Sequence, residues 1–213
     1  VASGAITGLA LDSDALKSLV SPTFVTKASG STSGTVTLSF SSSAVPGAFD
    51  YLAAGEVLTL TYTLAIDDGD GGITPADFVI TVTGSNDAPV LSVAAFTDLT
   101  GITEDNTSNT GQTVASLIGS SITDADHNAV EGIAITSSQS QYGHWEYSIN
   151  NGSIWTTFGT YAASSALLLN ADDLVRFVPD AQNGSIDTFS YIAWDRTAGT
   201  HGTTVNASVT GGG

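Results

Sequence analysis

The chain is predicted to be all-β, built as two tandem β-sandwich units. Three observations carry this. Long runs alternate apolar residues with Ser and Thr at period two. A stiff Asn86-Asp-Ala-Pro89 break divides two halves that echo each other. Carboxylates recur in tight clusters at the edges of the β-patterned runs, where a sandwich puts its end loops.

Each element follows from its own pattern. Asp14 to Val20 is the one helix-like segment. Thr35 to Phe40 alternates, with Val36, Leu38 and Phe40 on one face. Val57 to Ile66 places Leu58, Leu60, Tyr62, Leu64 and Ile66 inward, and Phe78, Ile80 and Val82 repeat the scheme. Such alternation marks half-buried strands, and outward Thr suits a solvated sheet face. Pro89 lacks a backbone donor and holds Ala88 extended, which makes the break stiff. The units are therefore expected over 1–87 and 88–213.

In the second half, strands are expected near Val114–Ile118, Ile133–Thr136, Trp145–Ile149, Ile154–Phe158, Leu174–Val178, Thr188–Trp194 and Thr203–Val209. Asn151-Gly152 between two of them is a strong hairpin signal. The halves share a pattern: Leu64-Ala-Ile-Asp67 matches Ile192-Ala-Trp-Asp195, and Leu11-Asp-Ser-Asp14 matches Thr123-Asp-Ala-Asp126. One unit of roughly a hundred residues is thus repeated. The first unit is expected to lack its opening strand, and the second its last, since it stops at Gly211-Gly-Gly213. A neighbour could supply either.

Composition narrows the function classes. The chain has 213 residues and neither Met nor Cys. The missing Met predicts a piece of a longer protein, and the missing Cys means that rigidity must come from the core or from metal. No apolar run approaches the roughly 18 residues of a membrane span, so direct membrane insertion is not expected. With 4 Lys+Arg against 21 Asp+Glu, a formal net charge of -17, nucleic-acid binding is excluded for want of phosphate-binding cations.

The placement of the acids says more. Asp12, Asp14, Asp67, Asp68, Asp70, Glu104, Asp105, Asp124, Asp126, Asp172 and Asp173 all lie in tight clusters. Two carboxylates about 6 Å apart repel by roughly 3 kcal/mol at an effective dielectric near 20. Clustered loops would splay unless a cation sits between them. Hard oxygen ligands, no Cys and three scattered His favour Ca2+ over zinc. Ordinary Asp turn chemistry competes with this reading. It is the better reading for Asp172-Asp173, a solvated turn, and for His127, a solvent-facing side chain.

Tyr51-Leu-Ala-Ala-Gly-Glu-Val-Leu-Thr-Leu-Thr-Tyr-Thr-Leu-Ala-Ile-Asp-Asp-Gly-Asp-Gly-Gly72, followed by Phe78-Val-Ile-Thr-Val-Thr-Gly-Ser-Asn-Asp-Ala-Pro-Val90, closely resembles the VCBS repeat. That repeat is a cadherin-like module of giant RTX adhesins of Gram-negative bacteria. Residues 91–213 resemble a second cadherin-like module, through Ile102-Thr-Glu-Asp-Asn106, Asp124-Ala-Asp126, Val175-Arg-Phe-Val-Pro179 and Ala193-Trp-Asp195. The resemblance implies Ig-like, Greek-key sandwiches with calcium at domain junctions. It implies Asn86 and Asp87 as linker ligands, and Glu56 as the glutamate at the base of the preceding domain. Glu104 would be the acid on the first strand of the following domain, Asp124 and Asp126 the DxD ligands, and Asp195 the aspartate that ends a late strand. Asp12, Asp14 and Asp67 take equivalent places at the far end of the first unit. Ala88 stands where another oxygen ligand often lies, which leaves the ion count open.

The resemblance also implies the setting: an extracellular, cell-surface protein of bacterial adhesion and biofilm, whose partners are neighbouring adhesin domains of the same chain. No catalytic motif is present, so no enzyme is expected. Two rivals are a carbohydrate-binding adhesin module, using Tyr142, Trp145, Trp155, Phe158 and Trp194, and an accessory domain of a secreted hydrolase. Trp145 shares a strand face with Tyr147 and Ile149 and reads as core. Ser148-Ile-Asn-Asn-Gly-Ser-Ile-Trp155 resembles an Asp-box hairpin with Asn at the Asp position, which is usually architectural.

Overall fold

The structure is a computed structural model that describes residues 1–67, 71–92 and 97–208. Asp68, Asp70, Val209 and Gly211–Gly213, which figured in the sequence reading, lie outside them. Among the described residues the fold is all-β, with antiparallel ladders and two short helices, and the chain separates into two compact units, Val1–Asn86 and Asp87–Gly213.

The first unit is organised by one long hairpin. Strands β4 (Val57–Asp67) and β5 (Ile73–Thr83) pair along their whole length, from Val57 opposite Thr83 to Asp67 opposite Ile73. Strand β1 (Ala2–Gly4) adds to the β4 side, giving the order β1-β4-β5. Helix α1 (Ser13–Ser18) leads into the ribbon of β2 (Val20–Thr26) and β3 (Thr35–Phe40). Leu52, Leu58 and Leu60 are buried, with Phe40, Phe49, Tyr51, Tyr62, Ile80 and Val82 packed around them. Tyr51 and Tyr62 donate their hydroxyls to the Ala5 and Leu16 carbonyls, at 2.7 and 2.9 Å, and so tie the N-terminal segment to this core.

The alternation in β3 and β4 is present, but the core covers only part of it. Ile66, expected inward, is 46% exposed, and Val36, on the face it shares with Leu38 and Phe40, is 40% exposed. Period two says which side chains share a face; it does not say how far along the strand that face is covered. Strand β2 had no clear signal, because Pro22 and the register shift beside it interrupt its pattern.

The second unit is larger. One sheet runs in the order β11-β10-β13-β7: Thr156–Thr157, Gly143–Ser148, Leu174–Pro179 and Gln112–Thr113. The other runs β14-β9-β12-β15: Thr188–Trp194, Gly132–Gln139, Ala166–Asn170 and Thr204–Val205. Both sheets contribute to one core: Ile133, Ile135, Leu167 and Leu169 from the second sheet meet Val175 and Tyr147 of the first. Trp145 is 6% exposed. Phe158, Phe177 and Phe189 surround it at 6.2, 5.1 and 5.0 Å between ring centroids. A buried indole cannot serve as a stacking platform for a sugar.

Two expectations fail here, and one strand went unforeseen, for physical reasons. Val114–Ile118 is helix α2 rather than a strand: Thr113 accepts from the Ser116 amide as N-cap, and Val114, Leu117 and Ile118 bury one helical face. Strand β12 carries no alternation because both its faces are covered. Leu167 and Leu169 face the inter-sheet core, while Ala166 and Leu168 pack with Ala134, Trp194 and Val205 on the other side. Asp173 is no solvated turn; it is 3% exposed. Its carboxylate accepts from the Asn170 amide and lies 2.9 Å from His201 Nδ1.

The Asn151-Gly152 turn has positive φ at both residues, 53° and 78°, as a type I′ turn requires. Asn150 Oδ1 accepts from the Ile154 amide, and Ser148 Oγ from the Gly152 amide. The hairpin is thus closed from within. It also supplies Trp155, over which the Arg176 guanidinium sits at 3.9 Å.

Candidate metal centre

The carboxylates of interest in the second unit are brought together by a small ladder. Strand β6 (Val90–Leu91) pairs antiparallel with β8 (Ile122–Thr123), Val90 opposite Thr123. Extending that register past the strand ends carries Asp87 alongside Asp126. The Asp87 amide indeed donates to Asp126 Oδ2 at 3.1 Å. Asp124 Oδ1 accepts from the Asp126 amide at 2.9 Å, the local Asx turn that an Asp-x-Asp run favours. Asp195 follows directly on β14, whose last residue, Trp194, stands opposite Gly132 at the start of β9. Its Oδ1 accepts from the Thr197 amide and hydroxyl at 3.0 and 2.8 Å, which fixes the carboxylate at the strand end.

Asp126 is the centre of this group. It is 9% exposed, and its Oδ1 has no hydrogen-bond partner among the described residues. Burial is the largest influence raising its pKa above the ordinary 3.8, and the negative charges of Asp124, Asp87 and Asp195 raise it further. Only the Asp87 amide opposes them. A buried polar atom with no partner costs roughly 1–3 kcal/mol, more when charged. No basic side chain is among the charges acting on Asp126. Among the described residues, the Asp126 Oδ1 atom is therefore left without a compensating donor.

The donor chemistry fits a hard cation: carboxylate oxygens, one of them buried and unpartnered. The set is not a closed cage. Among the described residues, no three His, Asp or Glu side chains converge into a ready-made cation site. Calcium takes 6–8 oxygens in flexible geometry, including backbone carbonyls and waters, so a cage made of side chains alone is not required.

The remaining predicted residues each have a local setting of their own. Glu104 is exposed on a turn closed by the Asn106 amide bonding the Thr103 carbonyl, and its charge is not among those acting on Asp126. Glu56 and Asn86 belong to the first unit. Glu56 Oε2 accepts from the Ala53 amide at 3.1 Å across its own turn. Gly84 seals that turn: a Cβ there would lie 2.1 Å from the Leu52 carbonyl oxygen. Asp12 is the N-cap of α1, accepting from the Asp14 and Ala15 amides, and Asp14 pairs with Lys17 at 2.9 Å. Asp67 ends β4 and is exposed.

Two polar pairings escaped the sequence reading. Arg176 Nη2 meets Glu146 Oε2 at 2.6 Å, with His144 3.3 Å from the other Glu146 oxygen. His201 meets Asp173, as above. Cross-strand register explains the first, since Glu146 stands opposite Arg176. The second joins residues 28 positions apart, and no local pattern signals it.

No protein-family model, curated protein or solved structure matches the chain.

Proposed function

We propose that this chain is a calcium-rigidified extender segment of a large bacterial cell-surface adhesin, without enzymatic activity. The observation that carries the reading is Asp126: nine-tenths buried, one oxygen engaged by the Asp87 amide, the other without a partner among the described residues, in a field of three further carboxylates. The resemblance to VCBS and cadherin-like modules supports the same reading.

In this account Ca2+ neutralises the carboxylates that repel one another at the rim of the second unit. Asp126 Oδ1 and the Asp124, Asp87 and Asp195 side chains supply oxygens. Asp126 Oδ2 keeps the Asp87 amide, so the residue that follows the link between the units is fastened to the ion-binding rim. Fixing it removes bending freedom, and a series of such links makes a stiff rod that carries a distal binding module away from the cell. Only the folded chain assembles the site, so the ion also stabilises the fold by mass action.

The test compares the chain in EDTA and in millimolar calcium. The melting temperature should rise with calcium, and small-angle scattering should show a narrower spread of interdomain angles. Identical melting and scattering in both buffers would remove the reading.

A further inference from the structure

The tetrapeptide Asn-Gly-Ser-Ile occurs twice, as Asn151–Ile154 and as Asn183–Ile186. An Asn-Gly pair can react with itself, because no side chain on the Gly hinders the approach of its nitrogen to the Asn amide carbon. The two copies share one local sequence, so a difference between them comes from the fold.

The first copy is held shut. In its type I′ turn the Gly152 amide donates to Ser148 Oγ at 2.9 Å, and the Ile154 amide donates to Asn150 Oδ1 at 2.8 Å. A Cβ on Gly152 would touch Leu174 and Trp155.

The second copy is open. It lies in the irregular stretch between β13 and β14, where Asn183, Gly184 and Ser185 are exposed and Ile186 is 96% exposed. Among the described residues the Gly184 amide has no hydrogen-bond partner. A Cβ on Gly184 would meet nothing within 4 Å. The Asn183 side chain is tethered through Nδ2, which donates to Asp180 Oδ2 at 3.2 Å. That bond holds the nitrogen that would leave, not the carbon that would be attacked. Asp180 Oδ1 accepts from the Gln182 and Asn183 amides at 2.9 and 3.0 Å, so the turn ahead of Gly184 is fixed while the Gly184 amide stays available.

We propose that Asn183 is a site of spontaneous deamidation and that Asn151 is protected from it. The Gly184 nitrogen gives its proton to water and attacks Asn183 Cγ. The Cγ–Nδ2 bond breaks, and Nδ2 departs as ammonia with a proton returned by water, leaving a cyclic succinimide. Water then opens the ring at either carbonyl, giving aspartate or isoaspartate at position 183. The product adds one negative charge to a chain of formal charge -17. A carboxylate then stands where an amide donated to Asp180, so the stretch joining β13 to β14 loses a tether.

The whole folded chain is incubated in mildly alkaline buffer and then digested with trypsin. With 4 Lys+Arg in the chain, Asn183 is the one Asn of the Phe177–Arg196 fragment. Mass spectrometry with electron-transfer fragmentation should show Asn183 converting at least about tenfold faster than Asn151, since opening the first copy breaks two hydrogen bonds. In urea, where the fold no longer separates the copies, the two rates should converge. Gly184→Ala, which the open space accommodates, should slow Asn183 at least about tenfold by hindering ring closure and leave Asn151 unchanged. An unaltered Phe177–Arg196 fragment, equal rates at both sites in the folded chain, rates that stay apart in urea, or conversion indifferent to Gly184→Ala would each overturn the proposal.

Discussion

Replacing Asp126 by Asn should change stability with opposite signs in the absence and presence of calcium. Without metal, the native side chain holds a buried oxygen with no donor among the described residues, near three negative charges. Asn removes the charge and keeps an oxygen for the Asp87 amide, now 3.1 Å from Asp126 Oδ2. The loss is the charge assistance of that one bond, about 1 kcal/mol. The gain is relief of an unpartnered buried charge, about 2 kcal/mol. The variant should therefore be more stable in EDTA by about 1 kcal/mol, or about 4 °C in melting temperature for a unit of this size. With calcium at a hundred times its Kd, the native chain gains about 2.7 kcal/mol. The variant, lacking the central ligand, gains little and becomes the less stable of the two. Thermal melts of both chains in both buffers measure this. The same sign in EDTA and in calcium would refute the reasoning.

Other outcomes follow from the same structure. In the metal-free chain, Asp126 should titrate above 3.8, as a carbonyl-carbon NMR titration would show, and Asp195→Asn should bring the midpoint down. Because the folded value is the raised one, metal-free stability should increase as pH falls through it toward 3.8. Asp180, whose pKa the Gln182 amide lowers, acts below that window: its contribution is lost as pH falls further. Gly84→Ala should cost the first unit about 2–3 kcal/mol in denaturant unfolding, since the added carbon must displace the Leu52 and Ala53 carbonyls. His201→Ala should cost the second unit about 1–2 kcal/mol by leaving the Asp173 carboxylate with fewer donors, the cost being limited by the partial exposure of the imidazole.

Local chemistry was legible in the sequence, and long-range coverage was not. The β4–β5 hairpin follows from alternation, and strands β9, β13 and β14 from β-branched and aromatic runs. The Asn151-Gly152 turn follows from its need for positive φ. The Asp124–Asp126 turn is equally local. Helix α2 was legible in principle: Thr113 and Gly119 bracket it, and Val114, Leu117 and Ile118 follow the helical period. The eye is drawn instead to their β propensity. Strand β12 has no period to read, because sheet core lies on one side and the segment holding Trp194 and Val205 on the other. The exposure of Ile66, the burial of Asp173 against His201, and the arrival of Asp87 and Asp195 beside Asp126 all depend on residues far away in the chain.

The most direct measurement is an anomalous-difference map from crystals grown in abundant calcium. The account predicts a cation peak about 2.3–2.6 Å from Asp126 Oδ1, with further oxygens from Asp124, Asp87 or Asp195 around it. A water hydrogen-bonded to that oxygen, and no anomalous signal at the rim of the second unit, would contradict it.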